Sequence, residues 1–387
     1  MSKYKVPKGM YDYLPEECYI KNIIEEKILK VFKSSGYDRI ETPSIEYHNV
    51  FDYNDVFPIE KAFKLTDTDG SLIILRPDIT MPLSRIVSTK MQPSLPLKLS
   101  YLGNSFSMLA DDYRYREFTQ AGLELIGEKS YTADAEVIIL AIEALKASGL
   151  DDFLIEIGNT EFFRGLIKEC RLDKKDEEEL IKNVDKKNNF AITEVLKNSG
   201  VDISLTDAIT ELPTLFGEDA IERAYKLVKN KKSVDALDEL VRIYTLLKSL
   251  GYDKYLSIDL SLLNSMNFYT GTIFKGLSRH FGAHILSGGR YNNLFTLQGT
   301  GNIPATGFAV GIKNLLTALT ASGNTATKPS CDYVIGAKKK YIADAFRLKE
   351  RLIKEGYTVN YTFIEEEEEL KKFAAAVKAH KCIFIEK

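Results

Sequence analysis

Cysteine and histidine are both scarce. Four of each stand in 387 residues: Cys18, Cys170, Cys331 and Cys382, and His48, His280, His284 and His380. No two cysteines form a C-x-x-C pair, which excludes a zinc ribbon and a thioredoxin-like motif. Thiols this scattered in a chain this long are expected to be reduced, in an intracellular protein. His280 and His284 have the i, i+4 spacing of a metal pair on a helix, but their neighbours supply no third ligand. No metal and no cofactor is therefore expected. No apolar run approaches the roughly 20 residues of a membrane-spanning helix. The opening residues, Met1-Ser-Lys-Tyr-Lys-Val-Pro-Lys8, lack the apolar stretch of a signal peptide, so a cytoplasmic location is expected. A basic excess is lacking too. The 52 Lys+Arg against 55 Asp+Glu leave a net charge of −3, which does not suit a protein living mainly on nucleic-acid phosphates.

What is present is an ordinary globular composition, 44% hydrophobic and 28% charged, long enough for two or three domains. Ile20, Ile23, Ile24, Ile28, Val31 and Phe32 recur at helical spacing and predict a helix over 16–36, stopped by Gly36. Residues 37–47 read as extended. Strands are expected over 62–66, 71–76, 98–107 and 117–126, with Asp67-Thr-Asp-Gly70 as a hairpin turn. A helix over 133–149 and a strand over 153–157 follow. From about 160 to 250 charged helical stretches dominate, at 174–183, 189–198, 218–229 and 233–249, and mark a helical insertion. Strand patterns return at 255–260, 268–276 and 283–287, and a helix is expected over roughly 308–321. Residues 321–330 form a polar linker. The tail, 331–387, alternates strand, helix, strand, helix, strand (332–337, 342–355, 357–363, 366–379, 382–386). That order predicts a small parallel sheet with covering helices.

Four segments carry candidate chemistry. They are Leu75-Arg-Pro-Asp-Ile-Thr80, Arg114-Tyr-Arg-Glu-Phe-Thr-Gln-Ala-Gly-Leu-Glu124, Asn267-Phe-Tyr-Thr-Gly-Thr-Ile-Phe274, and Leu286-Ser-Gly-Gly-Arg-Tyr291 followed by Pro304-Ala-Thr-Gly-Phe-Ala-Val-Gly311. In a strand, Phe118, Gln120, Gly122 and Glu124 point the same way. Each segment alone is a weak signal; their order and spacing are not.

Together they resemble the class II aminoacyl-tRNA synthetases, specifically the histidyl-tRNA synthetase core, over residues 1–320. The resemblance implies an α+β fold. An antiparallel sheet with flanking helices and a helical insertion (about 160–250) would be joined by the 321–330 linker to a truncated α/β anticodon-binding-like domain at 331–387. Helix 16–36 with Glu41-Thr-Pro43 resembles the family's dimer-forming first motif. Leu75–Thr80 resembles the segment that holds the ammonium of the amino acid, Phe118–Gly127 the strand that reads the histidine side chain, Asn267–Phe274 the histidine-binding tyrosine motif, and Gly307–Leu315 the third motif.

The departures bear on activity. Amino-acid activation builds charge on phosphoryl oxygens and needs arginine forks. By the resemblance, the three arginine positions are occupied by Ser107, Asn264 and Asn314, and Met108-Leu-Ala110 replaces the partner acid. Loss of one such donor costs about 10²–10³ in rate, so essentially no adenylation is expected. Lys313 is the nearest substitute cation. Residues suited to free histidine persist: Asp78 for the α-ammonium, Thr80 and Gln120 for the amino-acid backbone, Glu124 and Tyr269 for the imidazole, with Arg116 or Arg114 as candidate for the carboxylate.

A synthetase-like chain of this kind is similar to the regulatory subunits of ATP phosphoribosyltransferase. Gly103-Asn-Ser-Phe106, the Asp form of Leu-Arg-Pro-Asp-Ile-Thr, and Phe162-Phe163 followed by Gly165-Leu166 favour that family. This resemblance implies a non-catalytic subunit. It would act as a homodimer within a hetero-oligomer, activate a short catalytic partner in the first step of histidine biosynthesis, and transmit inhibition by L-histidine. A divergent histidyl-tRNA synthetase and a synthetase-like amino-acid or RNA sensor are the alternative readings. The acidic run Glu365–Glu369 and the lone basic cluster Lys338-Lys-Lys340 give no reason to expect tRNA binding by the tail.

Overall fold

A large mixed sheet organises the first part of the chain. The computed structural model describes residues 4–51, 59–91, 94–108, 115–263, 268–297, 301–324, 328 and 330–386. It divides into two units, Met1–Thr325 and Ala326–Lys387. In the first, the order is α1 (Pro15–Ser34), β1 (Asp38–Arg39), β2 (Ile45–Tyr47), β3 (Lys64–Thr66), β4 (Leu72–Leu75), α2 (Thr80–Thr89), β5 (Leu97–Phe106), β6 (Glu117–Ile126), α3 (Tyr131–Ser148) and β7 (Leu154–Asn159). Helices α4 (Thr160–Cys170), α5 (Lys174–Asp185), α6 (Asn189–Asn198), α7 (Ile203–Glu211), α8 (Ala220–Leu227) and α9 (Lys231–Ser249) come next. Then follow β8 (Leu256–Ile258), β9 (Thr272–Ser278), β10 (Phe281–Arg290), α10 (Leu294–Leu297), β11 (Ala305–Gly311) and α11 (Ile312–Ser322).

Strand order in the large sheet is β1-β5-β6-β11-β10-β9-β7-β8. Its six central strands are mutually antiparallel, and the two edge strands pair in parallel. Alternation gives the sheet two different faces. Ala121, Leu123, Leu125, Ile155, Ile157, Phe274, Phe308 and Val310 point into the main core with α1, α3 and α11. Leu99, Tyr101, Ile126, Ile273 and Ala305 point the other way, into a second core shared with α2 and β4. A small antiparallel sheet, β2-β4-β3, adjoins that second face, turned at Asp67–Gly70 where Gly70 has φ +87°.

Local sequence explains the flanking helices. Helix α1 opens with Pro15 and acids Glu16 and Glu17, closes with Lys33, and buries Ile24, Ile28 and Phe32 on one stripe. Five helices of the 160–250 region start on an Asx cap: Asn159, Asp173, Asn188, Asp202 and Asn230 each accept a backbone N–H from the first turn. A Cβ at Gly165 would collide with Ser233, whose hydroxyl donates to Phe162 O at 2.7 Å, so the glycine sets the close crossing of α4 and α9.

The second unit places β12 (Tyr333–Ala337) between β13 (Val359–Tyr361) and β14 (Lys381–Ile385), all parallel. Helix α12 (Ile342–Lys354) covers one face and α13 (Glu367–Ala376) the other, giving two small cores.

One sequence expectation is corrected. The helix expected over 308–321 begins only at Ile312; residues 305–311 are strand β11. Gly307-Phe-Ala-Val-Gly311 has little local bias. It is held as strand because both of its edges are paired, by β6 and by β10. The architecture otherwise has the expected class: a class II synthetase-like sheet with flanking helices and a smaller α/β unit.

Candidate functional site

Glu124 is the centre of the site. It stands on β6, 2% exposed, on the face away from the main core. Its register neighbours are Leu99 on β5 and Gly307 on β11. The absence of a side chain at Gly307 is required, because a Cβ there would overlap Oε2 of Glu124. Gly122, two residues earlier, does the same for the ring of Tyr101.

Three hydroxyls surround the carboxylate. Thr80 Oγ1 donates to Oε1 at 2.8 Å, from the first turn of α2. The Tyr291 hydroxyl donates to Oε2 from just beyond β10. Tyr101 also hydrogen-bonds the carboxyl. No cation is among the groups that shift it, and burial pushes Glu124 up to about 8 despite these donors. Asp78 lies close enough to add to that rise. It is itself raised to about 6 by burial, while its Oδ1 accepts the Met81 N–H at 2.8 Å and so caps α2. Tyr269 is buried beside them, edge-on to Phe268 at 5.2 Å. Phe268 stacks on Tyr291 at 4.8 Å. The result is a buried cluster of two carboxyls and aromatic rings packed over glycine. It suits a small ligand that donates hydrogen bonds and carries positive charge.

Of the expected site residues, Asp78, Thr80, Glu124 and Tyr269 converge. Gln120 shares their face, roughly 13 Å along the strand from Glu124, and its Oε1 accepts from Ser105 Oγ at 2.8 Å. Arg116 does not converge. It precedes β6 by one residue, roughly 26 Å along the strand from Glu124, and lies over the ring of Phe63 at 4.6 Å. No amino acid held at Glu124 spans that distance. Arg114, Asn264, Asn267 and Ala110 lie outside the described residues.

Ser107 and Asn314, two of the three positions where the resemblance leads one to expect arginines, have local roles. Ser107 N donates to Arg116 O at 2.9 Å, at the base of the β5–β6 connection. Asn314 is buried and donates to His284 O at 3.0 Å. Lys313 is not a spare cation: its ammonium lies 3.4 Å from the ring centre of Tyr11 and 3.5 Å from Glu17 Oε1. Arg76 is spent on the carbonyls of Thr42, Pro43 and Asn104. His284 lies in β10 and His280 just before it, so they share no helix.

Tyr101 and Tyr291 are site residues that the sequence does not announce. Tyr101 stands in a strand whose facing neighbour is Gly122, and Tyr291 closes the Gly288-Gly289-Arg290 run. These are faint signals that only the register makes legible.

The family model described as Histidyl-tRNA synthetase matches residues 9–315. The ATP phosphoribosyltransferase regulatory subunit of Acetivibrio thermocellus is 39% identical over 93% of this chain and 87% of its own. That of Ruminiclostridium cellulolyticum is 38% identical over 100% and 93%. The chain belongs to the family of ATP phosphoribosyltransferase regulatory subunits. Among solved structures, an ATP phosphoribosyltransferase regulatory subunit/histidyl-tRNA synthetase from Bacillus halodurans superposes with a TM-score of 0.87 at 29% identity, covering 100% of this chain and 99% of that one. Histidyl-tRNA synthetase from Nostoc superposes at 0.83 and 22% identity, over 100% and 92%, and shares the fold. The two solved structures thus join the regulatory subunits and the synthetases in one architecture. No helix among the described residues is long and apolar enough to cross a membrane.

Proposed function

We propose that this chain is a non-catalytic subunit that partners a short ATP phosphoribosyltransferase catalytic chain, activates it, and makes it sensitive to L-histidine. The observation that carries the reading is the Glu124 pocket. A buried carboxyl gripped by Thr80, Tyr101 and Tyr291, with Asp78 and Tyr269 beside it, offers acceptors to an imidazole and an ammonium together. A charge-assisted bond of this kind contributes roughly 1.5–3 kcal/mol. Asp78, Thr80, Gln120, Glu124 and Tyr269 are proposed as histidine ligands. Arg116 is not among them, because it lies too far along the strand.

The lack of adenylation chemistry belongs to the same proposal. Ser107 and Asn314 are neutral, and Arg76 and Lys313 are already engaged. Inhibition by histidine then requires a coupling free energy between this pocket and the partner's active site. The proposed assembly contains homodimers of this chain in the cytoplasm.

Reconstitution tests it. The short catalytic chain from the same cell should be inactive or weakly active alone, active with this chain, and inhibited by histidine in the mixture. Glu124→Ala should keep activation and lose inhibition. Histidine-dependent ATP–pyrophosphate exchange by this chain alone would instead favour a synthetase.

A further inference from the structure

The pocket around Glu124 can hold the ring and ammonium of an amino acid, but among its described residues there is no cation for the carboxylate. The large sheet supplies one. Its eight strands carry four cationic residues: Arg39, Lys98, Lys275 and Arg290. Arg39, Lys98 and Arg290 face away from Glu124 by strand alternation. All three are occupied, Arg39 by Glu41 at 2.7 Å, Lys98 by Glu136 at 2.6 Å and Arg290 by Asp134 at 2.9 Å. Lys275 alone shares the face of Glu124.

Register locates it. One row across the sheet runs Leu99, Glu124, Gly307, Gly289, Ile273, Gly158. The next row runs Tyr101, Gly122, Ala309, Ser287, Lys275, Glu156. Lys275 is three strands from Glu124, about 14 Å, and one row along, about 7 Å. That puts the two Cα atoms about 16 Å apart. An extended lysine stem of about 6 Å and a glutamate of about 4 Å can bring ammonium and carboxyl no nearer than roughly 6 Å, a gap that a free histidine can bridge. Between them the space over Gly307 is taken by Glu124 itself, that over Gly122 by Tyr101 and that over Gly289 by Tyr269, while the adjoining row of Ala309, Ser287, Lys275 and Glu156 is half-buried and gives access beside these side chains.

Lys275 is also uncommitted. Among the described residues no acceptor lies within hydrogen-bond or ion-pair distance of it. The charge acting on it is the cross-strand Glu156, which is itself held protonated more readily by burial and by the nearby Asp259. Asp259 is answered by Lys187 at 2.9 Å and by Ser261.

We propose that Lys275 is the specificity-determining cation of the site, receiving the carboxylate of the amino acid whose ring is held at Glu124, with Ser287 beside it as a second donor. This rests on the histidine reading above. It assigns the site to an amino acid with a free carboxylate rather than to an imidazole amine.

Calorimetric titration of the full-length chain with L-histidine and with histamine, which lacks only the carboxylate, tests it. The native chain should prefer histidine by roughly tenfold or more, the scale of one charge-assisted bond. Lys275→Met should bring histidine down to the histamine level and leave histamine unchanged, which also shows that the variant is folded. Lys275→Arg should keep most of the preference. A Lys275→Met chain that still prefers histidine, or a native chain that binds both ligands equally, overturns this inference while the histidine pocket stands. A native chain that binds neither overturns the pocket and this inference with it.

Discussion

The Tyr291 hydroxyl is bonded to Oε2 of Glu124, although 167 residues separate them in the chain. The bond ties the residue just beyond β10 to the C-terminal part of β6 and fixes the carboxyl that the proposed ligand meets. It places a hydroxyl, not a cation, on a buried acid, so burial prevails and the acid is held protonated near neutrality.

This sets the pH dependence of stability. Glu124 is raised to about 8 in the fold, against about 4.3 when unfolded. Between those values the native chain holds a proton that the unfolded chain has lost, so stability falls as pH rises. Glu124→Gln should therefore be nearly neutral at pH 5 and more stable than the native chain at pH 8.5. The difference should be on the order of a few kcal/mol at most. Thermal melts across that range check it. A native melting temperature that rises steadily from pH 5 to 8.5 relative to the variant would oppose it.

Gly307 is the steric guard of the pocket. Gly307→Ala puts a methyl into Glu124 and should cost about 1–3 kcal/mol, with loss of histidine binding. Gly282 is exposed, and a methyl group added there would have nothing within 4 Å, so it serves as the control. Denaturant midpoints of Gly307→Ala and Gly282→Ala should differ clearly; equal midpoints would contradict the packing.

Arg290 and Asp134 are buried together at 2.9 Å, and Arg290 also donates to the carbonyls of Glu128 and Ser130. Asp134→Ala leaves the guanidinium without its counter-charge, which costs about 3–5 kcal/mol. Urea unfolding should show a lower midpoint with an unchanged slope. A loss under roughly 1 kcal/mol would mean that the carbonyls suffice.

Part of this is legible in the sequence and part is not. Strand 117–126 has the bounds its pattern predicts, and it pairs with β5 along its whole length. The 305–311 strand differs from expectation, because its glycines and small residues decide nothing until β6 and β10 flank it. Spacing alone places Glu124 and Gln120 on one face. It does not place Tyr101 and Tyr291, since their approach depends on register between distant strands. Arg116 is near Glu124 in sequence, but an extended strand carries eight residues roughly 26 Å. Lys275 shows the opposite logic: it is distant in sequence and three strands away, yet on the same face as Glu124.

The synthetase-like site around Glu124 is proposed to bind histidine without activating it. Histidine calorimetry and ATP–pyrophosphate exchange on one purified sample test it most directly. Saturable histidine binding, lost in Glu124→Ala, with no exchange above background, is the predicted result. Histidine-dependent exchange, or no histidine binding at all, would contradict it.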